Sequence, residues 1–223
     1  MGKPSLKLYI DVVSPFAYIA FHVVRTSPVF KDCDVTFIPV FLGGIMKACG
    51  NTPPIQIENK GEWIGKERLR WAHLFNIPMA EEMPPGFPRN TVQVQRALAA
   101  VALLQPEKLT ETIATLYHML FVERREIHTL ELLGPVFSKI LGERPAKEIL
   151  TKATSDEVKK LLSTKTNEAL EEGAFGLPWF VATNAKGENE CYWGFDHIAQ
   201  VTNHLGLEKP KPDNSEGGWR AML

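Results

Sequence analysis

The sequence has few of the features that mark redox, metal-binding or membrane proteins. Among 223 residues there are only three cysteines, Cys33, Cys49 and Cys191, at wide spacings. With no CxxC pair and no His/Cys cluster, the sequence predicts neither a dithiol redox centre nor a metal site. No apolar run approaches the roughly 20 residues that a membrane helix needs. The 25 basic and 26 acidic side chains almost cancel, without a Lys/Arg cluster, so nucleic acid and membrane are not expected partners.

The composition is that of a packed globular protein, with 44% hydrophobic and 23% charged residues. The length allows one large domain, or a small domain with a substantial insertion. Reduced cysteines and the lack of a recognisable signal or transit peptide favour an intracellular location, in the cytoplasm, the peroxisome or the mitochondrion. The last tripeptide, Ala221-Met222-Leu223, resembles a weak peroxisomal signal because Met222 stands where a basic residue is usual.

The N-terminal part of the chain predicts a parallel βαβ unit. Residues 6–13 read as a strand, and residues 16–26 read as a helix with Ser14 as its N-cap and Pro15 in its first turn. Residues 34–41 read as the next strand. Short strand, helix and strand in this order favour parallel pairing.

The middle of the chain is predicted to be helical and its end to return to strands. Residues 43–62 are interpreted as loop-rich, whereas residues 62–76 and 92–170 carry apolar side chains at helical spacing. Near the end, the pattern predicts strands over 179–183 and 191–193, a helix over 197–205 and an extended strap or a frayed end after Leu207. This order predicts an α/β protein: a thioredoxin-like domain (1–45 and 173–223) interrupted by a large all-helical insertion (46–172).

The turn Ser14-Pro15-Phe16-Ala17 is the first candidate for chemistry. Thioredoxin-like proteins place a reactive CxxC between strand and helix here, but Ser14 and Ala17 stand at the two cysteine positions, which excludes dithiol exchange. A hydroxyl and free N–H groups at a helix N-terminus remain, and these suit a ligand thiolate. The alternative is that Ser14 is only a cap, the commoner role of an isolated Ser-Pro.

Other candidates lie near the later strands and in the middle loop. Leu177-Pro178 stands where thioredoxin-like proteins use a cis proline to offer backbone groups to a peptide-like ligand, although a proline there can simply open an edge strand. Asp196 is either a receiver for a ligand ammonium or a helix cap, and Asn51 either binds a ligand carboxylate or makes an Asx-turn. Lys60 and Arg68, taken alone, are interpreted as solvated.

Read together, these residues resemble the kappa-class glutathione transferases and their bacterial relatives, the 2-hydroxychromene-2-carboxylate isomerases, which are related to DsbA-like thioredoxin-fold proteins. The matching stretches are YIDVVSPFAY (9–18), GGIMKACGNTPP (43–54), EEGAFGLPWFVA (171–182) and WGFDHI (193–198). The resemblance implies a homodimer and glutathione as the bound thiol. It also implies a transferase that conjugates glutathione, as substrate, to small hydrophobic electrophiles, with glutathione peroxidase activity as a candidate second reaction.

The resemblance further implies roles for particular residues. Ser14 would hydrogen-bond the glutathione sulfur, and the backbone at Leu177 would hold the cysteinyl unit. Asp196 would contact the γ-glutamyl end, where Phe195 replaces the serine of familiar transferases and keeps only a backbone N–H. The remaining implied glutathione contacts are Pro15, Phe16, Asn51, Pro178 and, as a further candidate, Lys60. Two alternatives stay open: a glutathione-dependent isomerase of the 2-hydroxychromene-2-carboxylate type, and a non-catalytic protein that binds glutathione and other ligands.

Overall fold

The order of strands and helices follows the predicted pattern in most of the chain. The structure, a computed structural model, describes residues 2–208 and 217–222. Along these residues the strands are β1 (Ser5–Ile10), β2 (Asp34–Pro39), β3 (Trp179–Thr183) and β4 (Asn189–Trp193). The α-helices are α1 (Pro15–Thr26), α2 (Leu42–Ala48), α3 (Lys60–Leu74), α4 (Val92–Leu104), α5 (Leu109–Phe121), α6 (Leu130–Leu141), α7 (Glu143–Lys152), α8 (Asp156–Glu171), α9 (Ile198–Leu205) and α10 (Gly217–Arg220).

The four strands form one sheet in the order β2-β1-β3-β4. β1 runs parallel to β2, which confirms the βαβ unit, and β3 pairs antiparallel with both β1 and β4. Leu8, in the middle of β1, lies opposite Phe37 on one side and Phe180 on the other. The thioredoxin-like arrangement with helices between its second and third strands is therefore confirmed.

The sheet is buried on both faces because successive side chains of a strand point in opposite directions. Leu8 packs into a large hydrophobic cluster that includes Phe21 of α1 and extends to Leu116 of α5 in the helical insertion. Tyr9 points the other way, into a smaller cluster with Ala169 of α8. The thioredoxin-like part and the insertion thus both contribute side chains to each of the two clusters.

The prediction of a loop over residues 43–62 is wrong at its beginning. Residues 42–48 form α2, with Gly43 and Gly44 in its first turn. The aromatic ring of Phe41 lies against these glycines, since a Cβ atom at Gly43 would stand only 2.8 Å from the ring. The glycine pair therefore reflects close packing of a ring on a helix, whereas the sequence pattern alone suggested a turn.

The predicted division at residues 45 and 46 falls within α2, and the domain boundaries 1–45, 46–172 and 173–223 stay a prediction.

Residues 209–216 of the expected strap and Leu223 of the tripeptide lie outside the described residues. Beyond that gap, α10 packs its buried Trp219 against Phe75 and Phe30, where an extended strap or a frayed end was predicted. In the part of the chain that the structure describes, no helix combines the length and apolarity needed to cross a membrane.

Candidate functional site

The Ser14 turn joins the end of β1 to the first turn of α1. Ser14 is the N-cap of that helix, and its Oγ accepts a hydrogen bond from the Ala17 N–H at 3.1 Å. The same hydroxyl donates to the Leu177 carbonyl across a longer distance of 3.3 Å. Both readings of Ser14 are therefore compatible with this geometry: the residue caps α1, and its hydroxyl also faces the loop before β3. Pro15 is buried behind it and Phe16 is partly exposed beside it.

The Leu177-Pro178 peptide bond is cis, as in thioredoxin-like proteins, and it directly precedes β3. The Leu177 side chain is buried in the smaller cluster, whereas its carbonyl faces Ser14. Among the described residues, the Leu177 N–H has no hydrogen-bond partner. A backbone donor and acceptor at one residue is the pair that an extended peptide-like ligand needs for a short ladder.

Asn51 lies on the loop after α2 and reaches the same region. Its side-chain amide donates to the Phe175 carbonyl at 2.8 Å, which ties the α2 end to the loop that carries Leu177. This bond links two separate loops. It is neither the Asx-turn nor the contact with a ligand carboxylate that the sequence suggested for Asn51. The Asn51 side chain is exposed. Ser14, Asn51 and Leu177 are thus brought together by the fold.

Phe195 and Asp196 lie in a single 3-10 turn between β4 and α9, and they point in different directions. The Phe195 ring is 1% exposed and packs edge-on against Trp71 and Phe75. Any contact of Phe195 with a ligand therefore has to use its backbone. The Asp196 side chain is 61% exposed and lies 3.5 Å from the His197 Nδ1, beyond ordinary hydrogen-bond distance. No backbone N–H of the described residues is capped by Asp196.

Lys60 and Arg68 differ from each other in surroundings, although both belong to α3. Lys60 is exposed at the first residue of the helix, and no hydrogen bond among the described residues joins it to the other candidates. Arg68 is 1% exposed, so its interpretation as a solvated residue is wrong. Its guanidinium donates to the Ala80 carbonyl at 2.7 Å and to the Glu81 carbonyl, which fixes the chain after α3.

Asp11 is a buried acid beside the site that the sequence interpretation missed. It lies three residues before Ser14, is fully buried and accepts hydrogen bonds from four different groups. Burial raises the pKa of Asp11 above its ordinary value, while the four donors act in the opposite direction. The only signal in the sequence was a single charge within the apolar run Ile10-Asp11-Val12-Val13.

The comparison with known proteins agrees with this geometry. The family model described as a DSBA-like thioredoxin domain matches residues 5–206. The chain belongs to this DsbA-like family. It is 30% identical to the rat protein "Glutathione S-transferase kappa 1" over 90% of both chains. It is 26% identical to "2-hydroxychromene-2-carboxylate isomerase" of Pseudomonas sp. (strain C18), over 89% of this chain and 88% of that protein.

A solved structure of a 2-hydroxychromene-2-carboxylate isomerase has the same fold as this DsbA-like chain. It matches with a TM-score of 0.72 and 20% identity, over 91% of this chain and 94% of the other. The resemblance stated from the sequence motifs, to kappa-class transferases and to these isomerases, is confirmed as a relationship of sequence and fold. The residue roles it implies stay predictions.

The chemistry of this DsbA-like site differs from that of a dithiol protein. Burial raises the pKa of the Cys33 thiol to about 11 and also raises the pKa of Cys191, so neither is a ready thiolate near neutral pH. Ser14 and Ala17 occupy the turn where a CxxC would stand. Within residues 2–208 and 217–222, no group of three His, Cys, Asp or Glu side chains is arranged to hold a metal. The third cysteine, Cys49, is exposed, and its Sγ lies 3.8 Å from the Phe175 carbonyl of the loop before β3. The Ser14 turn itself carries no thiol.

A cleft adjoins the Ser14 turn on the side of the helical insertion. Its lining includes Val13 from the turn and residues from the segments 84–91 and 120–128. Apolar side chains such as Phe87, Leu120 and Ile127 form much of its wall. The cavity is small, about 20 Å³, and its wall also carries the charged side chains Arg89 and Glu126.

Proposed function

We propose that this chain is a glutathione transferase that conjugates glutathione to small hydrophobic electrophiles. The observation that carries the proposal is the position of the Ser14 hydroxyl, at the N-terminus of α1 and facing the Leu177 carbonyl of the cis-proline loop. Sequence relatives named as kappa-class glutathione transferases support it. Glutathione is the substrate that brings the thiol.

The proposed binding mode uses the groups described above. The cysteinyl unit of glutathione pairs with the backbone of Leu177 beside Pro178, and its sulfur replaces the Leu177 carbonyl as the partner of the Ser14 hydroxyl. Asn51 lies beside this unit, with the Pro15 and Phe16 turn below it. The γ-glutamyl ammonium meets Asp196, and the neighbouring carboxylate meets the Phe195 N–H. Lys60 is a further proposed contact of the tripeptide.

The proposed reaction proceeds through the glutathione thiolate. A charge-assisted hydrogen bond from Ser14 contributes about 1.5–3 kcal/mol, enough to lower the pKa of a thiol by about one to two units. In the first turn of α1, Pro15 has no N–H and the Ala17 and Tyr18 N–H groups bond Ser14, so the Phe16 N–H is the group that adds to this stabilisation. The thiolate then attacks an electrophilic carbon of the second substrate, a carbon–sulfur bond forms, and the leaving group departs with its electron pair. Peroxide reduction is a proposed second activity, with two glutathione molecules oxidised to the disulfide per peroxide.

Two alternatives come from the comparisons and the chemistry. Similarity to the isomerase from Pseudomonas favours a reaction in which the same thiolate adds to a chromene carboxylate and is released again. A binding protein would hold glutathione without turnover. Incubation with glutathione and 1-chloro-2,4-dinitrobenzene, a 2-hydroxychromene-2-carboxylate or cumene hydroperoxide separates these functions. Conjugate formation supports the transferase, isomerisation without glutathione loss supports the isomerase, and no turnover with any of them contradicts both.

The proposal includes two further properties, one implied by the family resemblance and one favoured by the sequence itself. The first is a homodimer, for which the half-exposed Ile55 and Trp63 near the start of α3 are candidate contacts. Sedimentation of the wild-type chain beside a variant with charged residues at these positions tests this. The second is an intracellular location in the cytoplasm, the peroxisome or the mitochondrion, which microscopy of a fluorescent fusion with a free C-terminus tests.

A further inference from the structure

The Asp11 carboxylate accepts four hydrogen bonds, and every partner is a donor. Oδ1 accepts from the Val13 N–H at 3.1 Å and from the Gln95 amide at 2.8 Å. Oδ2 accepts from the Leu42 N–H at 2.9 Å and from the Thr91 hydroxyl at 3.0 Å. Each oxygen therefore receives one backbone N–H and one side-chain donor. Two of these donors are backbone N–H groups, one on each oxygen, so both oxygens of Asp11 act as acceptors.

These bonds join the segments that form the candidate site. The Val13 N–H belongs to the turn that ends at Ser14, and Leu42 is the first residue of α2. The chain after α2 leads to Asn51, which holds a carbonyl of the loop 175–178. Another carbonyl of that loop accepts from Ser14. The contacts thus form a closed ring that passes through the site and through Asp11.

We propose that Asp11 is a positioning residue, whose carboxyl group holds the Ser14 turn and the start of α2 in the register that glutathione binding and activation require. This inference rests on the proposed function and adds to it a group that touches neither substrate. A buried polar group is costly unless it is hydrogen-bonded, and Asp11 meets that condition with partners from three separate parts of the chain. The Tyr117 hydroxyl also donates to the Asp11 backbone carbonyl, at 3.3 Å, which fixes the residue to α5.

An asparagine cannot replace this carboxylate. In asparagine an NH2 group takes the place of one carboxylate oxygen. In one orientation this NH2 group faces the Val13 N–H, and in the other it faces the Leu42 N–H, so two donors meet in either case. The side-chain donors can adjust, since a Gln95 amide can flip and a Thr91 hydroxyl can accept, but a backbone N–H cannot. Asp11→Asn therefore releases either the Ser14 turn or the start of α2.

The experiment compares three variants with the wild-type chain. Asp11→Asn breaks the junction, and Gln95→Leu removes one donor to Oδ1 at nearly constant side-chain volume. Thr112→Val is the control, because Thr112 is also fully buried but its hydroxyl bonds only the Lys108 carbonyl within the same helix region. The readouts are the pKa of the bound glutathione thiol, from thiolate absorbance in the ultraviolet, and kcat with 1-chloro-2,4-dinitrobenzene. Urea unfolding of each variant measures the loss of stability separately.

We expect Asp11→Asn to raise the pKa of the bound thiol and lower kcat on the order of tenfold, the scale of one lost buried hydrogen bond. Gln95→Leu should shift the thiol pKa and kcat in the same directions by smaller amounts. Thr112→Val should leave the thiol pKa unchanged although it loses a comparable amount of stability. If Asp11→Asn does not fold, the thiol pKa in Gln95→Leu is compared with that in Thr112→Val, and a higher pKa in Gln95→Leu alone supports the inference. A wild-type thiol pKa in the Asp11 and Gln95 variants overturns the inference while the proposed function stands. A wild-type chain that binds no glutathione overturns both.

Discussion

Replacing Asp196 by asparagine tests how the γ-glutamyl end of glutathione is bound. The side chain keeps its size but loses its charge, and the structure shows no backbone group of the described residues that depends on it. Two unit charges about 4 Å apart attract by about 1 kcal/mol in water and about 4 kcal/mol at the effective dielectric of a protein surface. Because Asp196 is 61% exposed, we place the loss in the lower part of that range, about 1–2 kcal/mol, or about 5- to 30-fold in Kd.

Calorimetric titration with glutathione and with its des-amino analogue measures this effect. The analogue lacks the ammonium, so it should bind wild-type and Asp196→Asn protein with similar affinity. Asp156→Asn is the matched control, since Asp156 is also an exposed acid at the start of a helix, with a Lys159 partner 2.8 Å away and no part in the site. Equal losses for glutathione and for the analogue in Asp196→Asn would refute the assigned contact.

Two further predictions concern the cis-proline loop and the pH dependence of stability. A Cβ atom at Gly176 would stand 2.7 Å from the Trp193 Nε1, so Gly176→Ala should displace the loop before Leu177. The same calorimetric titration should show glutathione binding weakened about fivefold, roughly 1 kcal/mol. Adding Trp193→Ala removes the clash and should restore the affinity. Burial lowers the pKa of His22 from 6.5, and Arg25 acts in the same direction. The folded protein therefore favours neutral His22, and this stabilisation is fully present above pH 6.5. It is lost as the pH falls through the pKa of the folded state. Thermal unfolding of His22→Gln should therefore change less between pH 7.5 and pH 5 than unfolding of the wild-type chain, and equal changes would contradict this.

Local signals in the sequence sufficed for the parts of the fold that local chemistry determines. Ser14-Pro15 marks the start of α1 because the hydroxyl caps a free N–H and the proline needs no hydrogen bond there. Gly206 ends α9 in the left-handed conformation that glycine favours, with φ of 69°. The segments predicted as strands also lie in the observed sheet.

The features that the sequence did not reveal depend on partners far along the chain. Asp11 is 80 residues away from Thr91 and 84 from Gln95, so no spacing pattern indicates that its charge is buried among donors. Arg68 looked like a surface residue of α3, but it bonds the carbonyls of Ala80 and Glu81 on a later loop. The ring of Phe41 explains α2 only once the glycines beneath it are seen in three dimensions.

The ionisation of bound glutathione tests the central claim most directly. Thiolate absorbance is recorded against pH for glutathione bound to the wild-type chain, to Ser14→Ala and to Ser27→Ala. Ser27 is the matched control because it also precedes a proline and caps a helical turn, through the Val29 N–H at 3.4 Å, at the opposite end of α1. We predict that the bound thiol has a pKa about one to two units below the roughly 8.5 of a free cysteine thiol in the wild-type chain and in Ser27→Ala, and a value near that of the free thiol in Ser14→Ala. The same lowered pKa in all three proteins would contradict the claim, because Ser14 would then be only the cap of α1.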